Sequence, residues 1–235
     1  MLNRLKSLIR KPKALNLSFQ KTSYSQTGED LIIDFIFTHI GIAKPTYIDI
    51  GAHHPYYLSN TAFFYEKGCR GINIEPDPEL FKLFTKHRNE DINLNIGIGA
   101  EKGNADFYII SSPTLNTFSK QEAENYIKEG DYRITNTINI PINSLKNVID
   151  EYCDGKFPHL LNVDAEGIDE LIIKSIDYKK SYPLVICIET ISFSTSGNGV
   201  KNTAISDFLL NNGYMLCADT YINTIFVRED AWKKQ

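Results

Sequence analysis

Short, unbroken apolar runs alternate with helical patterns along most of this chain. The runs LLNV (160–163) and LVICI (184–188) lack the alternation of polar and apolar residues, which is typical of strands covered on both faces. When helical patterns separate such strands, they favour a parallel sheet with helices packed on both sides. The chain is therefore predicted to adopt an α/β fold with a doubly wound sheet.

The predicted strands divide into a core set and an inserted set. Five core strands are expected at TYIDIG (46–51), GINIEP (71–76), INLNIGIG (92–99), HLLNVDAEG (159–167) and PLVICIET (183–190). The closing segments YMLCADT and NTIFVRED predict an antiparallel pair. Between about 103 and 158, NADFYII and NTINIPI predict an added strand pair with a polar helix between them. These patterns predict a single domain over residues 24–235, with an insertion at about 103–158.

The overall charge and the cysteine spacing narrow the classes of function. The formal net charge is −4, which gives no reason to expect a nucleic-acid partner. The four cysteines lie far apart without a CxxC pair. A zinc ribbon or a disulfide scaffold is therefore not indicated, and a reducing compartment is favoured.

Residues 1–23 form a basic segment with short apolar stretches. Six lysines and arginines precede the first acid, Glu29. The segment could be a short solvated helix or a weak contact with an anionic membrane surface. Its apolar stretches are too short for an export signal or a membrane span, so a cytoplasmic location is expected.

The first core strand leads into the turn DIGAHHP (49–55). In open α/β sheets, ligands bind beyond the carboxyl ends of the strands. Gly51 and Ala52 have almost no side chain, so the backbone can approach a ligand closely there. Asp49 near the strand end could accept hydrogen bonds or attract a cationic group. The turn therefore predicts a ligand site at this edge of the sheet.

The second core strand ends in Glu75, followed at once by Pro76. One carboxylate can accept hydrogen bonds from both hydroxyls of a ribose. Together, the turn and the acid predict a ligand that contains a nucleoside. A dinucleotide site would need G-x-G-x-x-G, whereas this loop has one glycine and a proline. The loop better suits S-adenosylmethionine, whose other end is an amino acid. A nicotinamide-dependent oxidoreductase and a non-catalytic binding module remain alternatives.

Several segments resemble the FkbM-type methyltransferases, which are class I, S-adenosylmethionine-dependent enzymes. They are YSQTGEDLIIDFIF (24–37), YIDIGAHHPYYLSNTAFFYEKGCRGINIEPDPELF (47–81), NIGIGAEKGNADFYI (95–109), IPINSL (140–145) and LLNVDAEGIDELIIKSID (160–177). The resemblance implies a Rossmann-like sheet of seven strands whose last strand is antiparallel. It also implies methylation of a hydroxyl group on a small-molecule or glycan acceptor, such as a surface-polysaccharide precursor.

The resemblance assigns roles in cofactor binding to individual residues. The turn from Asp49 to His54 would hold the methionine part of the cofactor, and Glu75 would bind its ribose. Pro76 and Asp77 would border the adenine pocket. The other residues expected to contact the cofactor are Gln26 and Glu29 at its amino-acid end, Gly97 beside its adenine, and Asp164.

Methyl transfer to an alcohol needs alignment of the reactants and either a base or a metal. Asp164 ends the fourth core strand, Glu166 follows it, and Glu189 ends the fifth. By analogy with metal-dependent O-methyltransferases, Asp164 and Glu189 could hold Mg²⁺ or Mn²⁺. Alternatively, one acid is the general base, with its pKa raised by its neighbour. Asp164 is favoured as the central catalytic residue.

Two further features have open roles. His53 or His54 could act as a base or a metal ligand, or could form a hydrogen-bonding wall of the site. The segment TLNTFSK (114–120) of the insertion could line the acceptor pocket. Neither feature names an acceptor, and the pattern does not indicate an oligomeric state.

Overall fold

Ten strands and eight helices make up the fold in the computed structural model, which describes residues 19–165, 167–192 and 199–233. The strands are β1 Tyr47–Ile50, β2 Gly71–Ile74, β3 Ile92–Leu94, β4 Gly97–Gly99, β5 Gly103–Ile110, β6 Ile134–Ser144, β7 Leu160–Val163, β8 Val185–Glu189, β9 Tyr214–Asp219 and β10 Asn223–Arg228. The helices are α1 Glu29–His39, α2 Ala62–Glu66, α3 Pro78–His87, α4 Lys120–Glu129, α5 Leu145–Tyr152, α6 Asp169–Lys174, α7 Thr203–Asn211 and α8 Glu229–Trp232. None of these helices is long and apolar enough to cross a membrane.

The main sheet has seven strands in the order β3-β2-β1-β7-β8-β10-β9. The pairs from β3 to β8 are parallel, whereas β10 runs antiparallel to both β8 and β9. Strand order reverses between β1 and β7, which places a crevice at their carboxyl ends. The predicted doubly wound sheet with an antiparallel last strand is confirmed.

Apolar side chains cover both faces of this sheet. Every residue of β1 and β7 is buried, as expected for central strands that lie between two layers of helices. One core cluster includes Ile48, Leu161 and Ile186, and the other includes Tyr47, Leu160 and Val185. Successive residues of one strand thus enter opposite cores, which fixes the register of the strands.

The prediction of a single third strand over residues 92–99 is wrong. It divides into β3, which joins the main sheet, and β4, which pairs with β6 in a separate sheet of order β4-β6-β5. The Asn95 amide donates to the carbonyl oxygens of Glu75 (2.8 Å) and Pro76 (2.9 Å), which holds the chain in a turn between the two strands. Apolar periodicity alone cannot reveal such a turn.

The insertion has the predicted elements, because α4 lies between the antiparallel strands β5 and β6. A small core of its own supports it, with Ile110, Leu115, Ala123 and Tyr126 buried together. Its short 3₁₀ turn at Pro113–Leu115 leads back towards the main sheet. The insertion is therefore a packed unit attached beside β3.

Arg88 is fully buried beneath the turn that follows β1. Its guanidinium group donates to Asp91 Oδ2 (3.0 Å), to the Tyr47 hydroxyl (2.9 Å) and to Thr61 Oγ1 (3.0 Å). The Tyr47 hydroxyl in turn donates to Asp91 Oδ1 (2.8 Å). Because each partner belongs to a different segment, this network joins the end of α3, the start of β1 and the residues before α2.

Replacement of Arg88 with alanine is expected to lower the free energy of unfolding by about 3–5 kcal/mol, because Asp91 would stay buried without its charged partner. Urea unfolding followed by circular dichroism measures the change. The matched variant Arg133→Ala removes an exposed arginine and should change the free energy of unfolding by less than about 0.5 kcal/mol. Equal effects of the two substitutions would contradict the role of the network.

Candidate active site

A cavity of about 260 Å³ opens at the carboxyl ends of β1, β2, β7 and β8. The sequence-predicted site residues that line it are Gln26, Asp49, Gly51, Ala52, His53, Glu75, Pro76, Gly97, Asp164 and Glu189. The predicted residues Glu29 and His54 are not among its lining residues. Glu166 lies outside the described residues. The fold therefore brings most of the predicted site together, although these residues lie far apart in the chain.

The turn after β1 depends on Gly51, whose φ of +74° lies in the left-handed region. A Cβ atom at this position would lie 1.8 Å from the carbonyl oxygen of Asp164. The backbone N–H groups of Gly51 and Ala52 both donate to the carbonyl oxygen of Ile74, at 3.0 and 3.1 Å. The absence of a side chain at Gly51 thus lets the ends of β1, β2 and β7 lie close together.

Glu75 is 4% exposed and faces this meeting point. Its Oε2 accepts the His53 N–H and its Oε1 accepts the Asp77 N–H, both at 2.7 Å. Burial raises the pKa of Glu75 to about 8. Since each carboxylate oxygen has a second lone pair, both remain able to accept a hydroxyl group of a ligand.

Asp49 lies deeper, and its carboxylate is held by protein groups. Thr61 Oγ1 donates to Oδ2 (2.6 Å), and Asn162 Nδ2 donates to Oδ1 (2.8 Å) from the neighbouring position on β7. Burial raises the pKa of Asp49. The carboxyl group therefore forms a polar floor of the cavity, held in place by these two hydrogen bonds.

Asn60 and Asn162 line the cavity but were not singled out from the sequence. Asn60 Nδ2 donates to Asn162 Oδ1 (2.9 Å), while Asn60 Oδ1 is buried with no hydrogen-bond partner among the described residues. Such an unsatisfied oxygen is costly to bury. An amide inside the otherwise apolar run LLNV was the signal that could have identified Asn162.

Asp164 and Glu189 form an acid pair at the other end of the cavity. Both side chains line the cavity, where the contact with Glu189 acts to lower the pKa of Asp164. Asp164 is accessible to solvent within the cavity, yet the surrounding protein desolvates it, and Asp169 and Asp49 add negative charge nearby. These effects raise the pKa of Asp164 well above its ordinary value. Environments of this kind are typical of catalytic acids and bases.

The two histidines of the turn have different positions. His53 lines the cavity in a left-handed conformation with φ of +54°. Burial and the neighbouring His54 lower its pKa, which favours the neutral imidazole. His54 Nδ1 accepts the N–H groups of Tyr56 (3.1 Å) and Tyr57 (2.9 Å). The predicted cofactor contact of His54 is therefore not supported, because its ring nitrogen closes the following turn.

Glu29 is also placed differently from the prediction. It is fully buried, and its Oε1 accepts hydrogen bonds from Thr220 Oγ1 (2.7 Å) and Asn223 Nδ2 (3.1 Å). Burial opposes ionisation, but the hydrogen bonds from Thr27 and Thr220 outweigh it and lower the pKa of Glu29 to about 2. The carboxylate attaches the start of α1 to the β9–β10 turn, beside the cavity residue Asn223.

Part of the insertion reaches the cavity, as the sequence predicted for residues 114–120. Its lining residues are Phe107, Pro113, Thr114, Leu115, Asn116, Thr117 and Phe118. The cavity therefore combines an apolar end at the insertion with an acidic end at β7 and β8.

Among the described residues, no group of three or more histidine, cysteine, aspartate or glutamate side chains could hold a metal ion.

Comparison with known proteins identifies the domain. Similar solved structures include a TehB-like SAM-dependent methyltransferase from Corynebacterium glutamicum, with 10% identity, a TM-score of 0.43 and 97% and 96% of the two chains covered. Another is a precorrin-6y C5,15-methyltransferase from Geobacter metallireducens, with 12% identity, a TM-score of 0.38 and 89% and 92% covered. No curated protein matches the chain.

Because the identities are 10% and 12% and both TM-scores are below 0.5, these two structures do not assign the chain to a family. The assignment to a family rests on the match to a family model. The model of the methyltransferase FkbM domain matches residues 49–216, which include the turn after β1, Glu75 and both members of the acid pair. This assignment favours methyl transfer over the nicotinamide-dependent alternative. The chain belongs to the FkbM methyltransferase family.

Proposed function

We propose that this protein is an S-adenosylmethionine-dependent O-methyltransferase. It acts on a hydroxyl group of an uncharged acceptor, such as a sugar or a surface-polysaccharide precursor. The observation that carries the proposal is that one cavity is lined by Glu75, which we propose binds the ribose, and by the acid pair Asp164 and Glu189. The unpaired thiols of the four cysteines agree with a cytoplasmic location.

The lining of the cavity fits the proposed cofactor. Glu75 offers two carboxylate oxygens to the ribose diol, and the Gly51 turn leaves room for close approach of the backbone. Asp49 and the unsatisfied Asn60 Oδ1 provide negative and polar groups near a cationic ligand. When bound, S-adenosylmethionine supplies an electrophilic methyl group on a sulfonium.

Asp164 is proposed as the general base. A carboxyl group with a raised pKa can accept a proton from an alcohol more readily than an ordinary surface carboxylate can. Glu189 lies beside Asp164 in the cavity and, when protonated, can donate a hydrogen bond to the Asp164 carboxylate that acts as the base. His53 lines the same cavity as a neutral ring and can help to position the acceptor.

The charges of the cavity favour an uncharged acceptor. Four carboxyl groups line it, and no lysine or arginine is among the described lining residues. A phosphate or carboxylate next to the reacting hydroxyl would meet like charges. The exposed ring of Tyr57 lies 6.5 Å from the ring of the lining residue His53, and a sugar face could stack on it. These features support the hydroxyl group of a neutral sugar as the methyl acceptor.

A divalent cation is a second possible role for the acid pair. Mg²⁺ is often held by one or two carboxylates together with water and substrate, so Asp164 and Glu189 have suitable chemistry. The raised pKa of Asp164 suits a general base equally well. We assign no step to a metal.

Replacement of Glu75 with alanine is expected to weaken binding of S-adenosylhomocysteine by about 1–3 kcal/mol, through loss of the ribose hydrogen bonds. Isothermal titration calorimetry measures this change. The matched variant Glu79→Ala removes an exposed glutamate of α3 and should bind like the wild type. Equal affinities for all three proteins, or stabilisation of the wild type by NADH alone, would contradict the proposed cofactor.

Stability of the unliganded protein should fall as the pH rises. The folded-state pKa of Glu75 is about 8, against an ordinary value of 4.5, so the folded protein binds the extra proton between these values. The contribution of Glu75 to the free energy of unfolding should therefore decrease across this window, by about 1.4 kcal/mol per pH unit at most, and then level off. Urea unfolding at pH 5, 7 and 9 should show this slope in the wild type and a shallower one in Glu75→Gln.

Replacement of Asp164 with asparagine is expected to lower the rate of methyl transfer by about 10²–10⁴-fold, because the amide cannot take up the proton of the acceptor's hydroxyl group. Transfer of a labelled methyl group to a panel of neutral sugars measures the rate. Affinity for S-adenosylhomocysteine should change much less than in Glu75→Ala. Wild-type cofactor binding without transfer to any acceptor of a broad panel would favour the non-catalytic binding module.

The same assay distinguishes a general-base role of Asp164 from a metal-binding role of Asp164 and Glu189. The proposal expects equal wild-type rates after treatment with EDTA and after readdition of Mg²⁺ or Mn²⁺. A rate that falls with the chelator and recovers with the cation would assign Asp164 and Glu189 to the metal instead.

A further inference from the structure

A short loop joins β7 to α6 and carries Asp164 into the cavity. The Asp164 N–H donates to the carbonyl oxygen of Ile50 (3.0 Å), and the Asp164 carbonyl oxygen lies against Gly51. Ala165 and Ile168 of the same loop also line the cavity. The position of the Asp164 carboxylate therefore depends on how this loop is held.

Asp169, the first residue of α6, holds the loop through its carboxylate. The residue is buried. Its Oδ1 accepts the N–H of Ala165 (2.9 Å), the residue directly after Asp164, and its Oδ2 accepts the N–H of Gly167 (3.3 Å). Hydrogen bonds to a carboxylate are stronger than those between neutral groups. One side chain thus fixes the backbone on the carboxyl side of Asp164.

These hydrogen bonds differ from those of an ordinary helix cap. A capping side chain accepts N–H groups of the helical turn that follows it, as Asp77 does from Glu79 at the start of α3. Asp169 instead accepts N–H groups of residues that precede it in the chain. Its carboxylate therefore serves the loop beside the cavity, rather than the helix that it begins.

The insertion also packs against this loop. Gly167 has a φ of +97°, and a Cβ atom there would lie 3.1 Å from Glu122 Cγ and 3.5 Å from Ser119 Cβ at the start of α4. A larger residue at this position would therefore strain the backbone and press on α4. The loop is thus held by α6 and by the insertion together.

We propose that Asp169 is a positioning residue for methyl transfer, which holds Asp164 where it can accept the proton of the acceptor's hydroxyl group. The inference rests on the proposed function, because it requires Asp164 to be the base. A displacement of about 1 Å in a reacting geometry can cost about 10²-fold in rate. Asp169 is not among the residues that line the cavity, so it acts through Asp164 rather than on a ligand.

Replacement of Asp169 with alanine should lower kcat for methyl transfer by about 10- to 100-fold, because the loop loses both hydrogen bonds. The KM for the acceptor should change less than kcat. Affinity for S-adenosylhomocysteine, measured by titration calorimetry, should stay near that of the wild type, since other contacts hold Glu75.

Two further variants make the comparison specific. Asp169→Asn keeps an oxygen that can accept the Ala165 N–H, so its kcat should lie between those of the wild type and Asp169→Ala. The matched variant Glu170→Ala removes the neighbouring acid of α6, which pairs with Lys174 on the surface, and should keep the wild-type kcat. Thermal unfolding and cofactor binding check that each variant is folded before its rate is compared.

A double variant shows whether Asp169 acts through Asp164. Addition of Asp169→Ala to Asp164→Asn should cause no further loss of rate, because the group that accepts the proton is already absent. Losses that multiply in the double variant would mean that Asp169 acts independently of Asp164. A residue that only stabilises the fold would not lose its effect in this background.

Three results would overturn the inference alone: a wild-type kcat for folded Asp169→Ala, equal losses in Asp169→Asn and Asp169→Ala, or losses that multiply in the double variant. Equal losses would assign the effect to the charge of Asp169 instead of its hydrogen bonds. If the wild type transferred no methyl group, or if Asp164→Asn kept the wild-type rate, the proposed function would fail and the inference with it. A graded loss of kcat that disappears in the Asp164→Asn background supports the role of Asp169.

Discussion

The site depends on the close approach of two backbones at Gly51. Its absent side chain lets the turn after β1 lie against the carbonyl oxygen of Asp164, and its N–H group binds the carbonyl oxygen of Ile74 at the end of β2. Any Cβ atom at this position would separate the strands that carry Asp164 and Glu75. The distance between the acid pair and Glu75 is therefore set by backbone contact.

Acidic groups withdrawn from water are the second organising feature. Burial raises the pKa values of Asp49 and Glu75, and desolvation by the surrounding protein together with the nearby Asp169 and Asp49 raises that of Asp164. Without a ligand, this arrangement costs free energy, as is common where a binding site is preorganised. A cationic ligand would offset part of that cost, which relates the stability of the empty site to its proposed chemistry.

The insertion adds specificity to a general fold. The sheet supplies Glu75 and the acid pair, whereas the apolar end of the cavity comes from Phe107 and Phe118. Asn116 and Asp77 join these two parts through one hydrogen bond. A small added sheet can therefore complete a ligand site without altering the strand order of the main sheet.

Local patterns predicted the sheet and its antiparallel end, and together with the family resemblance they named ten of the residues that line the cavity, because the ends of parallel strands must meet at one edge. They could not predict that the segment 92–99 divides, since the link at Asn95 depends on carbonyl groups about 20 residues away. The resemblance assigned Glu29 and His54 to the cofactor, whereas in the structure the Glu29 carboxylate binds Thr220 and the His54 ring binds the N–H group of Tyr56.

The sequence by itself determined which residues end the strands, since the alternation of apolar runs and helical patterns is a local property of the chain. Only the tertiary structure decided which polar groups remain free for a ligand. Buried carboxylates and amides must find partners, and those of Asp49 and Glu29 come from segments distant in sequence. Glu75 and the acid pair face the cavity because the folded strands bring their ends together around it.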